Sequence, residues 1–178
     1  MGWDILHSVE HYNRHNGDWG QDGRWEPAER IRVTYEPDKY GLAIESVYNE
    51  YEYELCPCQS ARDYAVFGIL SGVRVRDENK MRSVFDLKPR GFPNDAHELS
   101  VAVLNHGAYP DTISWATLDE LQTWLKKNRK NILEDFGDGI ENFKYMVDYL
   151  EKIRTNLEEK YEEDIPPTDI RLIFGYNY

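Results

Sequence analysis

Hydrophobic and polar positions predict strands at both ends of this chain and helices between them. Apolar residues alternate with polar ones over residues 3–12, the pattern of a half-buried strand. Near the other end, Ile170–Phe174 has apolar residues on both parities, which indicates an interior strand buried on two faces. Residues 30–35 and 42–55 predict further strands, and residues 98–104 fit either a strand or a helical turn.

Three helices are predicted from apolar spacing and capping residues. The first includes residues 64–71, is apolar on nearly every side and is therefore expected to be buried. The second begins at Thr117, because Glu120 stands where a capping box requires it. The third covers about residues 139–163, where apolar residues recur every three or four positions and form a stripe along Phe143, Leu150 and Leu157.

These elements predict one α+β domain over residues 1–178. We expect a mixed or antiparallel sheet that contains the N- and C-terminal strands and is covered by about three helices. A chain of 178 residues is the usual size for one domain. Within about residues 26–58 we predict an acidic and aromatic hairpin, because Glu50–Leu55 alternates strictly between glutamates and apolar or aromatic residues.

Composition indicates an acidic protein of a reducing, cytoplasmic compartment. The formal net charge is 21 − 33 = −12, which argues against direct nucleic-acid binding and suits either an ordinary soluble protein or one that docks on a basic surface. No apolar run approaches the roughly 20 residues of a membrane helix, and no secretory signal is visible. Cys56 and Cys58 are too close for an ordinary disulfide and supply half of a four-ligand zinc site.

One pattern suggests a metal, but its predicted context disagrees. His7 and His11 frame a His-x-x-Glu-His sequence, which binds zinc when it lies on a helix. Here it falls in a predicted strand, where residues four apart lie roughly 13 Å from each other. We therefore expect no metal, no cofactor and no catalytic residue.

Two accounts of the arginines near the first helix and the following turns are open. In one, Arg62, Arg74 and Arg90 form structural salt bridges with Asp4, Asp63 and Asp95. In the other, the arginines line a pocket for a phosphate or carboxylate. The residues of that candidate pocket are Asp4, His7, Arg62, Tyr64, Arg74, Arg90, Asp95 and Trp115.

Several motifs occur in a fixed order along the chain: Met1-Gly-Trp-Asp-Ile5, Arg62-Asp-Tyr64, Arg90-Gly-Phe-Pro-Asn-Asp95 and Ser114-Trp-Ala-Thr-Leu-Asp-Glu-Leu121. In these motifs the chain resembles a group of uncharacterised short bacteriophage and prophage proteins that begin Met-Gly-Cys-Asp-Ile-His. The resemblance extends over nearly the whole chain apart from about residues 15–58, so it implies that the acidic and aromatic hairpin is an insertion. It also implies that the protein acts in the cytoplasm of a bacterial host cell. Trp3 replaces the cysteine of those proteins, and Asp111-Thr-Ile113 stands where they often carry a histidine. The resemblance therefore implies a phage protein that binds rather than catalyses.

The leading functional hypothesis is a phage-encoded accessory protein that inhibits a bacterial defence system, in the manner of anti-CRISPR or anti-restriction proteins, or a host nucleic-acid enzyme. It would dock on a basic groove through an acidic surface, because strand glutamates about 6.6–7 Å apart approach the charge spacing of an extended nucleic-acid strand. The same row of glutamates, a glutamate ladder, is also explained by a solvent-exposed edge strand whose charges prevent aggregation. The acidic residues are Glu50, Glu52, Glu54, Glu158, Glu159, Glu162 and Glu163.

The alternative hypothesis is a protein that binds or cleaves a nucleotide signal in the arginine-lined pocket. Arginines would hold the phosphates, and Tyr64 or Trp115 would stack on the base. Any hydrolysis would involve Asp4, His7 or Asp95. The sequence predicts no oligomeric state.

Overall fold

A computed structural model describes residues 4–15, 23–28, 30–36, 41–47, 64–73, 75 and 77–177. Within these ranges the chain has the predicted α+β fold, with a four-stranded antiparallel sheet, a separate two-stranded hairpin and four α-helices rather than about three. The strands are β1 Asp4–Asn13, β2 Arg24–Pro27, β3 Arg30–Glu36, β4 Gly41–Val47, β5 Ser114–Thr117 and β6 Ile170–Asn177. The helices are α1 Tyr64–Ser71, α2 Glu98–Gly107, α3 Leu118–Phe136 and α4 Gly139–Tyr161.

The four-stranded sheet has the order β2-β1-β6-β5, so the two terminal strands lie side by side at its centre. β6 pairs antiparallel with β1 on one side and with β5 on the other, which confirms the prediction of an interior C-terminal strand. The register places Ile5 opposite Tyr176 and Glu10 opposite Arg171. Because paired residues share a face of the sheet, this register decides which side chains meet.

Helices cover both faces of this sheet. On one face, Leu172 and Phe174 of β6 pack with apolar residues of α1, α3 and α4 in the main core. On the other face, Ile173 packs with Leu104 of α2 in a smaller cluster. Both parities of β6 are buried, which confirms the burial on two faces that its apolar pattern predicts.

Local signals explain how the helices begin and end. Thr117 and Glu120 form the predicted capping box at the start of α3. After α1, Gly72 has a φ of 70°, a left-handed conformation that ends a helix and favours glycine. The ambiguous segment after residue 97 forms the helix α2, which lies close to β1: a Cβ on Gly107 would stand 2.7 Å from Cδ1 of Leu6.

Several predictions fall outside the described residues. These include the ladder of Glu50, Glu52 and Glu54, the two cysteines, and Arg62 and Arg74. The hairpin of β3 and β4 lies within the predicted range 26–58. That this hairpin is an insertion, and that the chain is a single domain, stay predictions.

Replacing Phe174 by alanine should destabilise the protein by about 3–5 kcal/mol, because the ring is fully buried where the central strand meets the helices. The free energy of unfolding, measured by urea denaturation, tests this. Leu87→Ala is the control, since Leu87 is 56% exposed and its loss should cost less than about 0.5 kcal/mol. Equal costs for the two variants would mean that β6 is not the centre of the core.

Candidate functional site

The most concentrated polar chemistry in the described chain surrounds Arg171, on the α2 side of the sheet. Its Nε donates a hydrogen bond to Oε2 of Glu10 at 2.7 Å, and its Nη1 donates to Oδ1 of Asp95 at 2.7 Å. Nη2 donates to the backbone carbonyl oxygen of Asp95 at 3.1 Å. The side chain of Arg171 is 2% exposed and that of Glu10 is 0% exposed, so this ion pair lies inside the protein.

Two tryptophans contact the same guanidinium group. The Cζ of Arg171 lies 3.8 Å from the ring centroid of Trp25 on β2 and 6.0 Å from that of Trp115 on β5. Both distances are within the range of cation–π attraction, which strengthens when water is excluded. Strands from both edges of the sheet therefore meet at one cation on its central strand.

Glu10 connects this group to α2. Its second carboxylate oxygen, Oε1, accepts a hydrogen bond from the backbone N–H of His97 at 2.9 Å. His97 is the N-cap of α2, where its ring Nδ1 accepts a hydrogen bond from the N–H of Leu99. Both oxygens of Glu10 are thus occupied, as a buried carboxylate requires. We call Glu10, Trp25, Asp95, Trp115 and Arg171 the arginine site.

Arg90 forms a second ion-pair cluster that also contacts Trp115. Its Cζ lies 5.4 Å from the centroid of Trp115, its Nε lies 3.3 Å from Oδ2 of Asp86, and its Nη1 lies 3.0 Å from Oε1 of Glu120. Asp86 also accepts a hydrogen bond from Oγ of Ser114 at 2.5 Å. These contacts bind the guanidinium group to carboxylates of the protein itself.

The observed partners differ from those predicted in the salt-bridge account. Arg90 is in ion pairs, but with Asp86 and Glu120, and Asp95 pairs with Arg171 instead. Sequence reasoning did not select Arg171 as a site residue. A charged residue within an apolar strand that is buried on two faces was the available signal, because such a charge requires a buried partner.

The candidate pocket residues are not brought together as one set. Arg90, Asp95 and Trp115 lie on the α2 side of the sheet. His7 pairs with Phe174 in the register and so lies on the opposite face, in the main core. Tyr64 is on α1, where it is 42% exposed and its ring meets that of Phe67 edge-on. Asp4 is at the start of β1, opposite Asn177.

The acidic residues at the end of α4 have different environments. Oε1 of Glu158 accepts hydrogen bonds from Nη1 of Arg154 at 2.5 Å and from the N–H of Ile165 at 3.1 Å. Glu163 lies 2.9 Å from Nε2 of His15. Glu159 and Glu162 are exposed. Of the four described acids of this predicted surface, Glu158 is therefore in an ion pair with Arg154 and Glu163 contacts His15.

His11 is the most unusual titratable group of the main core. It is 4% exposed, and neither ring nitrogen has a hydrogen-bond partner among the described residues. Burial lowers the pKa of His11 below 6.5; nearby Lys160 lowers it further, whereas the charges of Glu26 and Glu10 oppose the shift. The ring of Tyr161 packs beside it, with centroids 6.0 Å apart.

Replacing Arg171 by methionine should destabilise the protein by about 3–5 kcal/mol, because it leaves the buried carboxylate of Glu10 without its cation. Glu10→Met combined with Arg171→Met should recover part of that loss, since no buried charge then remains. Arg14→Met is the control, because Arg14 is 57% exposed in its bridge to Asp169 and that pair should contribute at most about 1 kcal/mol. Urea denaturation measures all three; an Arg171→Met cost no larger than the control would contradict the assigned role.

The lowered pKa of His11 predicts a specific acid sensitivity. As the pH falls below 6.5, the unfolded chain binds a proton at His11 that the folded chain excludes, so the free energy of unfolding decreases by up to about 1.4 kcal/mol per pH unit. Above pH 6.5 the residue is neutral in both states and contributes no slope. Urea denaturation at several pH values between 7.5 and 5.5 should show a shallower slope for His11→Gln than for the natural chain. The prediction is wrong if the free energy of unfolding depends on pH equally in His11→Gln and the natural chain. It is also wrong if NMR shows that the His11 ring titrates at or above pH 6.5.

Comparisons with known proteins give no match: no family model, curated protein or solved structure matches this chain. In the described part of the chain, no cluster of three or more His, Cys, Asp or Glu side chains could hold a metal ion. Over the same residues, no helix has the length and apolar character needed to cross a membrane. The resemblance to phage proteins stays a prediction.

Proposed function

We propose that this chain is a phage-encoded accessory protein that inhibits a bacterial defence system or a host nucleic-acid enzyme by binding to it. Its contact surface is acidic and includes the end of α4, and its partner carries a basic groove. The observation that carries this proposal is the contrast between cations that the protein's own carboxylates bind and acids that are exposed to solvent. Arg90 and Arg171 are bound to carboxylates of the protein, whereas Glu159 and Glu162 extend into solvent.

The position of these acids makes them costly for folding. The C-terminus of an α-helix carries a partial negative charge, so an acid there is unfavourable by about 0.3–1 kcal/mol. Glu158 and Glu159 lie in the last turn of α4, and Glu162 is the C-cap in a left-handed conformation with a φ of 54°. Only Lys160 supplies a favourable charge in that last turn. A binding role explains why acids occupy a place that helix stability disfavours.

The net charge of −12 also attracts a basic partner at distances beyond direct contact. A strongly negative protein is attracted to a basic groove before it touches it, which increases the association rate and makes binding sensitive to salt. The glutamate ladder Glu50, Glu52 and Glu54 lies outside the described residues and enters this proposal from its sequence alone.

The nucleotide-pocket alternative has less support. Of its three arginines, the one that the structure describes is Arg90, and its guanidinium contacts Asp86 and Glu120. A bound phosphate would have to displace those carboxylates. The alternative therefore rests on Arg62 and Arg74, which lie outside the described residues.

A pull-down from bacterial lysate at low ionic strength tests the acidic surface. The natural chain should retain a basic, nucleic-acid-binding protein, and added double-stranded DNA should release it by competing for the same groove. Glu159→Gln with Glu162→Gln should reduce retention at least several-fold and leave the free energy of unfolding equal or higher, because acids at a helix C-terminus are removed.

Glu78→Gln with Glu98→Gln is the matched control: both residues are exposed, and the change in net charge is identical. It should retain the partner almost as well as the natural chain does. If the two double variants lose retention of the partner equally, binding depends on the overall charge and not on the end of α4. If no basic protein is retained at low salt, the proposal fails.

A further inference from the structure

The outer surface of the α3–α4 pair carries a groove that neither the core nor the arginine site uses. The groove has a volume of about 410 Å³. Its floor is apolar and its rims are charged. The lining residues are Gln122, Leu125, Lys126, Arg129, Ile140, Glu141, Lys144, Val147, Asp148 and Glu151.

The two rims of this groove carry opposite net charge. On the groove side of α3, residues 121–133 contribute three bases, Lys126, Arg129 and Lys130, and no acid, a charge of +3. Residues 140–151 of α4 contain three acids and one base, a charge of 1 − 3 = −2. Within the described residues no ion pair engages Lys126 or Lys130 of the α3 rim, or Glu141 or Asp148 of the α4 rim. The opposite charges are thus available to a molecule outside this chain.

An exposed leucine extends the apolar part of the surface. Leu133 lies four residues after Arg129 and seven after Lys126, so it is on the groove face of α3. It is 56% exposed. A large apolar side chain in line with an apolar groove favours a macromolecular partner over a small anion, which the acids Glu141, Asp148 and Glu151 of the α4 rim would repel.

The rims are complementary to each other, and from this we infer that a second copy of the same chain occupies the groove. With a twofold axis parallel to the helices, α3 of each copy faces α4 of the other, so each basic rim meets an acidic rim. With the axis across the helices, α3 would face α3 and place three bases against three bases. Charge therefore selects the first arrangement.

The positions of the charged residues along the helix axes fit this arrangement. Gln122 of α3 donates a hydrogen bond to Glu151 of α4 at 2.9 Å, which fixes how the two antiparallel helices align. One turn further along α3, Lys126 is then level with the part of α4 near Asp148. Another turn brings Lys130 near the level between Lys144 and Glu141. Lys126 of one copy would therefore meet Asp148 of the other, and Lys130 would lie within one turn of Glu141.

The size of the surface predicts a weak dimer. α3 has 19 residues and is about 28 Å long, and two adjacent helices are about 20 Å wide, so each copy would bury about 560 Å². The total of about 1,100 Å² is at the lower limit for a specific interface. This inference is independent of the proposed inhibitor function, because its test needs no other protein.

Sedimentation velocity over a concentration series at low ionic strength tests the inference. The natural chain should dimerise with a Kd in the micromolar range and dissociate as salt is added. Lys126→Glu with Lys130→Glu makes both rims acidic and should weaken the dimer at least tenfold. Glu141→Lys with Asp148→Lys makes both rims basic and should do the same.

Two further measurements separate this geometry from general charge effects. An equimolar mixture of the all-acidic and all-basic variants should form a heterodimer, and a chain with all four changes should form a homodimer again. Lys127→Glu with Lys88→Glu is the matched control, because Lys127 is one residue from Lys126 and so is rotated away from the groove. The control should dimerise like the natural chain at equal ionic strength.

The substituted residues are exposed, and circular dichroism and thermal melts establish that each variant is folded. If the natural chain stays monomeric at a protein concentration of about 100 μM, the inference is wrong and a different macromolecule occupies the groove. So would a dimer that both rim reversals leave intact, or a failure of the two reversed variants to associate with each other.

Discussion

The buried ion pair between Glu10 and Arg171 is the constraint on which the arrangement of this fold depends. It joins the two central strands, and it extends through Asp95 and the N–H of His97 to the start of α2. Desolvating two charges is expensive, so the pair stabilises one arrangement strongly only because every donor and acceptor around it is satisfied. A shift of β6 by one residue would place Arg171 in the main core and Ile170 or Leu172 beside Glu10. The pair therefore specifies the register as well as contributing energy.

The sequence predicts those parts of the fold that depend on local chemistry. The capping box of Thr117 and Glu120, the stripe of α4 and the two-faced burial of β6 are each encoded within a few residues, and the structure confirms them. β2 and β5 have four residues each, too few for an alternating pattern to be recognised. The segment that forms α2 was ambiguous because short apolar runs fit strands and helices equally.

The arginine site could not be predicted because its contacts join distant parts of the chain. Glu10 and Arg171 are 161 positions apart, and Arg171 and Asp95 are 76 apart. Which acid faces which arginine depends on the strand register and on the placement of α2, and neither is readable from spacing. The sequence pointed to Asp95 and Trp115 as residues of a ligand pocket in one account, and to Asp95 as a salt-bridge partner of Arg62, Arg74 or Arg90 in the other. In the structure they surround a cation of the protein, and the chemistry expected for a pocket instead stabilises the sheet.

The distribution of charge relates the two proposed contact surfaces, which are the acidic end of α4 and the groove between α3 and α4. Carboxylates of the protein bind Arg90 and Arg171, whereas four exposed bases lie along α3 and exposed acids lie at the end of α4. A twofold axis parallel to α3 and α4 leaves their direction along the axis unchanged. The C-termini of α4 in both copies would then lie at the same end of the dimer, with Glu159 and Glu162 of each. Two acidic ends side by side present a longer negative surface to one basic groove, and a second contact on the same partner raises the effective affinity without any new kind of interaction. Dimerisation through the groove would therefore strengthen a binding function without taking any of the residues that perform it.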